Sequence, residues 1–254
     1  MHIQNKKRFY LMMGLLGVLI ILLGLSIYMI WNAISSSNAP VQTTSDAANP
    51  AATNSTQGNR TDTTASQVIA DPNDTLVLVN KTTNLDEDYL PSDLVWLDLP
   101  GVRETQLRKE AAAPLEDLFD AAELKNLSLY CCSGYRSYQT QKELYSENVK
   151  SYGQKEADLV SAKPGQSEHQ TGLAMDVTAE SVNFDLLESF GQTAEGEFIK
   201  NNAHQYGFII RYPEDKTAIT GYAYEPWHLR YVGKDVAEEI FKNNLTFEEY
   251  LKTS

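Results

Sequence analysis

The sequence is short of positive charge. Its 254 residues carry 21 Lys and Arg against 34 Asp and Glu, which gives a formal net charge of −13. Nucleic acids are bound largely through contacts of Lys and Arg with phosphates, so an acidic chain of this kind repels them. We therefore expect no nucleic-acid partner. The length is sufficient for one folded domain with a sizeable core.

Cysteine is scarce as well, because the chain has only the adjacent pair Cys131 and Cys132. Neighbouring Cα atoms lie about 3.8 Å apart, whereas ordinary disulfides need about 4.4 to 6.8 Å. A bridge between these two residues would be strained. We expect two thiols on a strand, with at least one of them buried.

Charged side chains are absent from residues 9–31, a run of 23 residues rich in Leu and Ile. A helix of this length, at about 1.5 Å per residue, can cross a hydrocarbon layer of ~30 Å. The basic residues 6–8 precede the run and should stay in the cytoplasm. We interpret residues 1–31 as a cytoplasmic tail and one transmembrane signal-anchor, with the folded domain extracytoplasmic and the protein in the cell membrane.

A cleaved secretory signal is the alternative interpretation of this apolar run. Such a signal has an apolar region of only about 7 to 15 residues and ends at a small-x-small site. Ser35, Ser37 and Ala39 offer such a site, although a weak one. Both interpretations place the folded domain outside the cell.

Residues 32–70 lack a periodic apolar face and consist mostly of Ser, Thr, Ala, Asn and Gln. This composition cannot bury enough surface to offset the loss of chain entropy, so we expect a disordered linker. Order should begin near Asp71, and the folded domain should span residues 71–254. The apolar segment Leu76–Val79 should be anchored to its core.

The domain alternates between segments of helical and strand periodicity. We predict helices over residues 103–126 (kinked or started at Pro114), 137–152, 195–206 (ended by Gly207), 235–242 and 247–251. We predict strands over residues 127–132, 173–177, 208–212 and 228–232. Because helices and strands occur in separate runs, the expected fold is α+β, with a small antiparallel sheet and flanking helices.

Histidine is also rare, with four residues in the chain. His2 lies in the predicted cytoplasmic tail. His204 lies near a predicted helix C-terminus, where a cationic imidazole suits the helix dipole, and we interpret it as structural. His169 and His228 remain as candidates for chemistry.

These two histidines stand in two short motifs. His169 lies in Ser-Glu-His-Gln-Thr-Gly-Leu-Ala-Met-Asp, residues 167–176, and His228 ends Glu-Pro-Trp-His, residues 225–228. Two imidazoles and a carboxylate form a donor set that zinc accepts, with the fourth tetrahedral position left for water. Taken singly, each residue has an ordinary structural explanation; Trp227, for example, is more typical of core packing than of substrate contact.

The two motifs together resemble the signature of the zinc D-alanyl-D-alanine carboxypeptidases of the VanY type and their L,D-carboxypeptidase relatives. That signature is Ser-x-His-x-x-Gly-x-Ala-x-Asp followed by Glu-x-Trp-His, and every position of it is filled. The resemblance extends to residues 133–138, 164–165 and 230–233, and covers roughly residues 71–254.

The resemblance implies a zinc site and a set of roles for this chain. His169, Asp176 and His228 would be the zinc ligands, and Glu225 the general base. Arg136 would be a cation that faces the substrate. The remaining two residues, which would help to hold the terminal carboxylate of the substrate, are Gln141 and Ser167.

The resemblance also implies the substrate, a peptidoglycan stem peptide that loses its C-terminal D-alanine. D,D and L,D specificity both stay open, because the shape of the pocket decides between them. One alternative is a catalytically weak cell-wall peptide binding module, although such a module needs no general base such as Glu225. Another is a dipeptidase or endopeptidase on the same scaffold.

Overall fold

A four-stranded antiparallel sheet organises the part of the chain that the structure describes. The structure is a computed structural model and describes residues 67–68 and 71–253. These residues belong to one compact unit, Thr61–Ser254. The predicted anchor and most of the predicted linker lie outside the described residues. No helix within residues 67–68 and 71–253 is long and apolar enough to cross a membrane.

The elements follow one another in the mixed order expected of an α+β domain. The strands are β1 Gln67–Val68, β2 Thr83–Asn84, β3 Leu94–Trp96, β4 Gln106–Arg108, β5 Tyr130–Ser133, β6 Ala174–Thr178, β7 Phe208–Tyr212 and β8 Glu225–Tyr231. The α-helices are α1 Lys109–Glu123, α2 Tyr138–Tyr152, α3 Gln154–Val160, α4 Ala194–Asn202, α5 Thr217–Thr220, α6 Lys234–Asn243 and α7 Phe247–Thr253.

The order of strands in the central sheet is β5-β6-β8-β7, and all neighbours are antiparallel. The prediction of an α+β fold with a small antiparallel sheet is therefore confirmed. In the pairing of β6 with β8, Asp176 lies opposite His228, and Ala174 lies opposite Arg230. The sheet thus joins two motifs that are about fifty residues apart in the sequence.

The core lies between this sheet and α1. Helix α1 buries the face formed by Ala111, Leu115, Leu118 and Ala122, which has the spacing of an amphipathic helix. Val77 and Val79 of the predicted anchored segment are buried in the same cluster, although they form no strand. The prediction that the segment Leu76–Val79 is anchored to the core is therefore confirmed.

The predicted helix over residues 103–126 is correct only from Lys109 onward. Its first part is instead β4, which forms a hairpin with β3 and pairs Leu107 with Val95. The backbone N–H of Arg108 then donates to the carbonyl of Gly172 at 2.8 Å, so tertiary contacts hold this segment extended. Pro114 lies inside the helix and does not start it.

Other element boundaries also differ from the predictions. Gly153 adopts φ +84° and separates α2 from α3, which was not predicted. Strand β5 begins at Tyr130, three residues later than expected. Gln67 and Val68, within the segment predicted as linker, form β1, which pairs in parallel with β2.

Cys131 and Cys132 are both free, buried and on β5, which confirms the prediction of two strand thiols. His204 stacks on Phe241 with ring centroids 3.7 Å apart. Burial lowers the pKa of His204, and the stacked position of its ring is in keeping with the structural role predicted for it.

Candidate active site

The two motifs converge at one end of the central sheet. His169 lies in a 3-10 turn, Glu168–Thr171, just before β6. Asp176 lies on β6 and His228 on β8. Gly172 ends the 3-10 turn in the left-handed conformation, φ +69°, where a side chain would be strained. This turn places His169 beside the strand that carries Asp176.

His169, Asp176 and His228 form a buried group whose ligand atoms all lie within 4.8 Å of one another. Nε2 of His169 is 3.3 Å from Oδ2 of Asp176, and Nδ1 of His228 is 3.0 Å from Oδ1 of the same carboxylate. Two imidazole nitrogens and one carboxylate oxygen are donors that suit a tetrahedral zinc ion with one open position. The donor set therefore fits the implied metal.

The second ring nitrogen of His169 has a partner that fixes the ring. Nδ1 of His169 is 2.9 Å from the carbonyl oxygen of Gly134. Because a carbonyl only accepts hydrogen bonds, this contact places the proton on Nδ1 and leaves the lone pair of Nε2 toward Asp176. Metal-binding histidines are commonly oriented in this way.

The charges of this group are strongly coupled. Burial raises the pKa of Asp176, but the imidazoles of His169 and His228 outweigh it and bring that pKa well below its ordinary value. Burial lowers the pKa of His228, yet the carboxylates of Asp176 and Glu168 raise it to about 9. In the metal-free protein a proton is therefore held on the imidazole of His228, and a metal ion would compete with it for a nitrogen electron pair.

Glu225, the predicted base, begins β8 and lies beside the donor set. Its Oε2 is 3.8 Å from Nδ1 of His228. Burial, together with the negative charge of Asp176, raises the pKa of Glu225 to about 7, against the opposing effect of His228. A carboxylate with a pKa near neutrality is suited to accept and return a proton.

Arg136 lies between β5 and α2, where Ser137 caps the helix by accepting a hydrogen bond from the N–H of Thr140. Nη1 of Arg136 donates to Oε1 of Gln141 at 2.6 Å, and its Nη2 lies 3.9 Å from Oδ2 of Asp176. Nε2 of Gln141 donates in turn to the carbonyl of Ala162 at 2.7 Å. The amide of Gln141 thus orients the guanidinium of Arg136.

All seven residues singled out from the sequence line one cleft of about 610 Å³. This volume is in the range typical of small-ligand sites. Ser167 is buried in the wall of the cleft beside His169. Trp227, interpreted as a core residue, both packs against the core and lines the cleft.

The sequence analysis did not identify three charged residues behind the site. Glu168, Arg211 and Arg230 are fully buried, and Glu168 forms ion pairs with both arginines. Glu168 occupies an unspecified position inside the first motif, and Arg211 lies in an otherwise apolar strand, β7. The only sign of a buried ion pair in the sequence is a charged residue inside such a segment, because these residues meet only in the folded chain.

Comparison with known proteins gives matches to carboxypeptidases. The putative carboxypeptidase YodJ of Bacillus subtilis (strain 168) is 48% identical over 191 residues, which cover 73% of this chain and 70% of that protein. The structure of the LdcB LD-carboxypeptidase superposes with a TM-score of 0.70 at 48% identity and covers 74% of this chain and 90% of that one. A VanY D,D-pentapeptidase mutant in complex with Zn(II) gives a TM-score of 0.61 at 36% identity, covering 70% of this chain and 98% of that one.

Fold, cleft and these likenesses define the class of the protein, a carboxypeptidase. The family model described as VanY, D-alanyl-D-alanine carboxypeptidase, matches residues 104–234, slightly more than half of the chain. The chain belongs to the VanY D-alanyl-D-alanine carboxypeptidase family. The matched residues include both motifs and Arg136.

Proposed function

We propose that the protein is a zinc-dependent carboxypeptidase that removes the C-terminal D-alanine from peptidoglycan stem peptides. The observation that carries this proposal is the juxtaposition of a zinc-type donor set with Glu225, whose pKa is about 7, in one cleft. Membership of the VanY family supports the carboxypeptidase reaction. The Zn(II) complex of a related D,D-pentapeptidase supports the choice of metal.

His169, Asp176 and His228 would hold the ion. When bound, zinc supplies a Lewis acid that polarises a peptide carbonyl and lowers the pKa of a water molecule toward ~7. The protein's part is to keep the three donors together: the antiparallel register of β6 with β8 joins Asp176 and His228, and the 3-10 turn before β6 adds His169.

Glu225 moves the proton in this proposal. Its carboxylate accepts a proton from the attacking water and then delivers it to the leaving amine. Glu225 thus acts first as general base and then as general acid. Burial supports this role, because it raises the pKa of Glu225 to about 7 and so allows both protonation states near neutral pH.

Arg136 supplies the positive charge of the cleft. A guanidinium can bind a carboxylate through two parallel hydrogen bonds, and it can also stabilise an oxyanion. Nη2 of Arg136 lies 3.9 Å from Oδ2 of Asp176, so the positive charge is beside the donor set. This position supports stabilisation of an oxyanion. Gln141 acts on the substrate through Arg136, and Ser167 lines the wall of the cleft beside them.

The experiment that tests this function uses the full-length chain in detergent with synthetic stem peptides. Tetrapeptide and pentapeptide stems are incubated with the protein, with and without a chelator, and the released D-alanine is measured. We expect release from at least one stem, loss of that release with chelator, and recovery with added zinc. Activity that is unchanged by the chelator would contradict zinc dependence, and no release from either stem would contradict the reaction.

We also propose that residues 9–31 anchor the protein in the cell membrane with the domain extracytoplasmic. The absence of charge from this run and the basic residues before it support the proposal. Protease added to intact cells whose wall has been removed should digest the domain. Digestion only after lysis of the membrane would contradict this orientation.

A further inference from the structure

A buried cluster of four charged side chains lies directly behind the candidate metal site. Oε1 of Glu168 accepts from Nε of Arg211 at 2.7 Å and from Nη1 of Arg230 at 2.8 Å. Arg211 also donates to both oxygens of Glu248, at 2.8 and 2.6 Å. The cluster thus contains two positive and two negative charges, and each has an opposite charge in contact.

The two oxygens of Glu168 differ in their surroundings. Both arginines bind Oε1, whereas Oε2 is buried and has no hydrogen-bond partner among the described residues. Nε2 of His228 lies 3.5 Å from this oxygen and is also buried without a hydrogen-bond partner there. A buried donor or acceptor left unpaired costs about 1 to 3 kcal/mol, so two facing atoms of complementary type indicate a contact that closes in another state of the site.

The orientation of the His228 ring identifies that state. Nδ1 faces the site, because it contacts Oδ1 of Asp176 at 3.0 Å and lies 3.8 Å from Oε2 of Glu225. Nε2 is on the opposite side of the ring and faces Glu168. A ligand that takes the electron pair of Nδ1 requires the proton of a neutral imidazole to be on Nε2.

We propose that Glu168 is a positioning residue that orients His228 for metal binding by accepting the Nε2 proton at Oε2. This inference rests on the proposed zinc function. Arg211 and Arg230 hold the other oxygen, so the carboxylate cannot turn away from the ring. His169 is oriented by the neutral carbonyl of Gly134, whereas His228 is oriented by an anion, which makes His228 the more basic ligand.

The alternative is that Glu168 only balances the charge of the two arginines. Glu248 provides a matched control, because it pairs with the same Arg211 in the same cluster. Among the described residues, the ion pair of Glu248 is with Arg211, whereas Glu168 also lies 3.5 Å from Nε2 of His228. A purely structural role predicts that replacement of either acid has a similar effect on the metal site.

The test compares Glu168→Gln with Glu248→Gln in the full-length chain, with zinc affinity measured by competition with a chromophoric chelator. In one orientation the amide of Glu168→Gln points its N–H donors at Nε2 of His228 and removes the acceptor; in the other it keeps an oxygen there but points its N–H donors at the arginines and breaks the ion pairs that hold the side chain. We expect Glu168→Gln to weaken zinc binding by about 10-fold to 100-fold, the range found for loss of such outer partners, and Glu248→Gln to leave it within about 3-fold of wild type. Equal zinc affinity of Glu168→Gln and wild type, or equal losses in both variants, would overturn the proposal.

If Glu168→Gln does not fold, a measurement on the wild-type protein tests the proposed orientation of His228. Nitrogen NMR of the zinc-bound wild type should show His228 protonated at Nε2 and metal-bound at Nδ1. Metal at Nε2 would overturn the inference. If the wild type binds no zinc, the proposed function itself fails, and that result is distinct from a wild type that binds zinc regardless of Glu168.

Discussion

Replacement of Glu225 by Gln should abolish most of the activity and at the same time stabilise the metal-free protein. The amide keeps the size of the side chain but accepts no proton, and general acid–base catalysis is typically worth ~10² to 10⁴-fold. We therefore expect turnover of stem peptides to fall by about 10² to 10⁴, with zinc still bound.

The stability change follows from the pKa of Glu225. Burial raises this pKa from its ordinary value of 4.5 to about 7. The folded state therefore binds this proton more tightly than the unfolded state, so the carboxyl destabilises the fold as pH rises from about 4.5 through about 7. At 1.36 kcal/mol per pKa unit, the wild-type carboxylate costs at most about 3.4 kcal/mol above pH 7, and Gln removes this cost.

The assay is urea denaturation in chelator at pH 5 and pH 8 for the wild type and the variant, beside a turnover measurement in zinc. The difference in the free energy of unfolding between the two proteins should be larger at pH 8 than at pH 5. Glu123→Gln, at an exposed position, serves as the control. It should change neither the pH dependence of the free energy of unfolding nor the turnover. The reasoning is refuted if the difference between wild type and Glu225→Gln is the same at both pH values, or if turnover is unchanged.

His228→Ala should remove zinc while leaving the sheet intact, and metal analysis together with circular dichroism checks this; full zinc occupancy would contradict the ligand assignment. Arg136→Lys keeps the charge but loses the planar donors that reach Gln141, so kcat/KM in steady-state hydrolysis should fall by about 10²-fold, the typical effect of losing one donor to an oxyanion. Gly172→Ala should lower the free energy of unfolding in urea by about 1 to 3 kcal/mol, because its Cβ would lie 2.9 Å from Leu94 at φ +69°; an unchanged midpoint would exclude strain at this turn. Deletion of residues 1–31 should move the activity from the pelleted membranes to the supernatant, and an inactive deletion would show that the domain needs this segment.

The sequence predicted most of the elements that carry the central sheet. Apolar periodicity predicted β6 and β7 within a residue or two, and the end of the helical segment at Gly207, which is left-handed in the structure. The two motifs predicted which side chains share the cleft. These predictions succeeded because each depends on a local pattern or on residues at fixed spacing.

Tertiary contacts explain the predictions that failed. Leu107 fits the helical apolar period as well as a strand, and pairing with β3 decides for the strand. Glu168 and Arg230 are fully buried only because they neutralise each other, and no property of their neighbours in the sequence indicates this.

The guanidinium of Arg230 also has a consequence for the synthesis of the chain. Its Nη2 donates to the carbonyls of Thr75 and Val77, at 2.9 Å each, across 155 and 153 residues of sequence. The first apolar segment of the domain therefore lacks this partner until strand β8 has been made. His228 lies two residues earlier on the same strand, so the hydrolytic centre and the docking site of that segment are completed together. A nascent or prematurely ended polypeptide that stops before β8 has neither, so we expect no hydrolysis before this strand has been made.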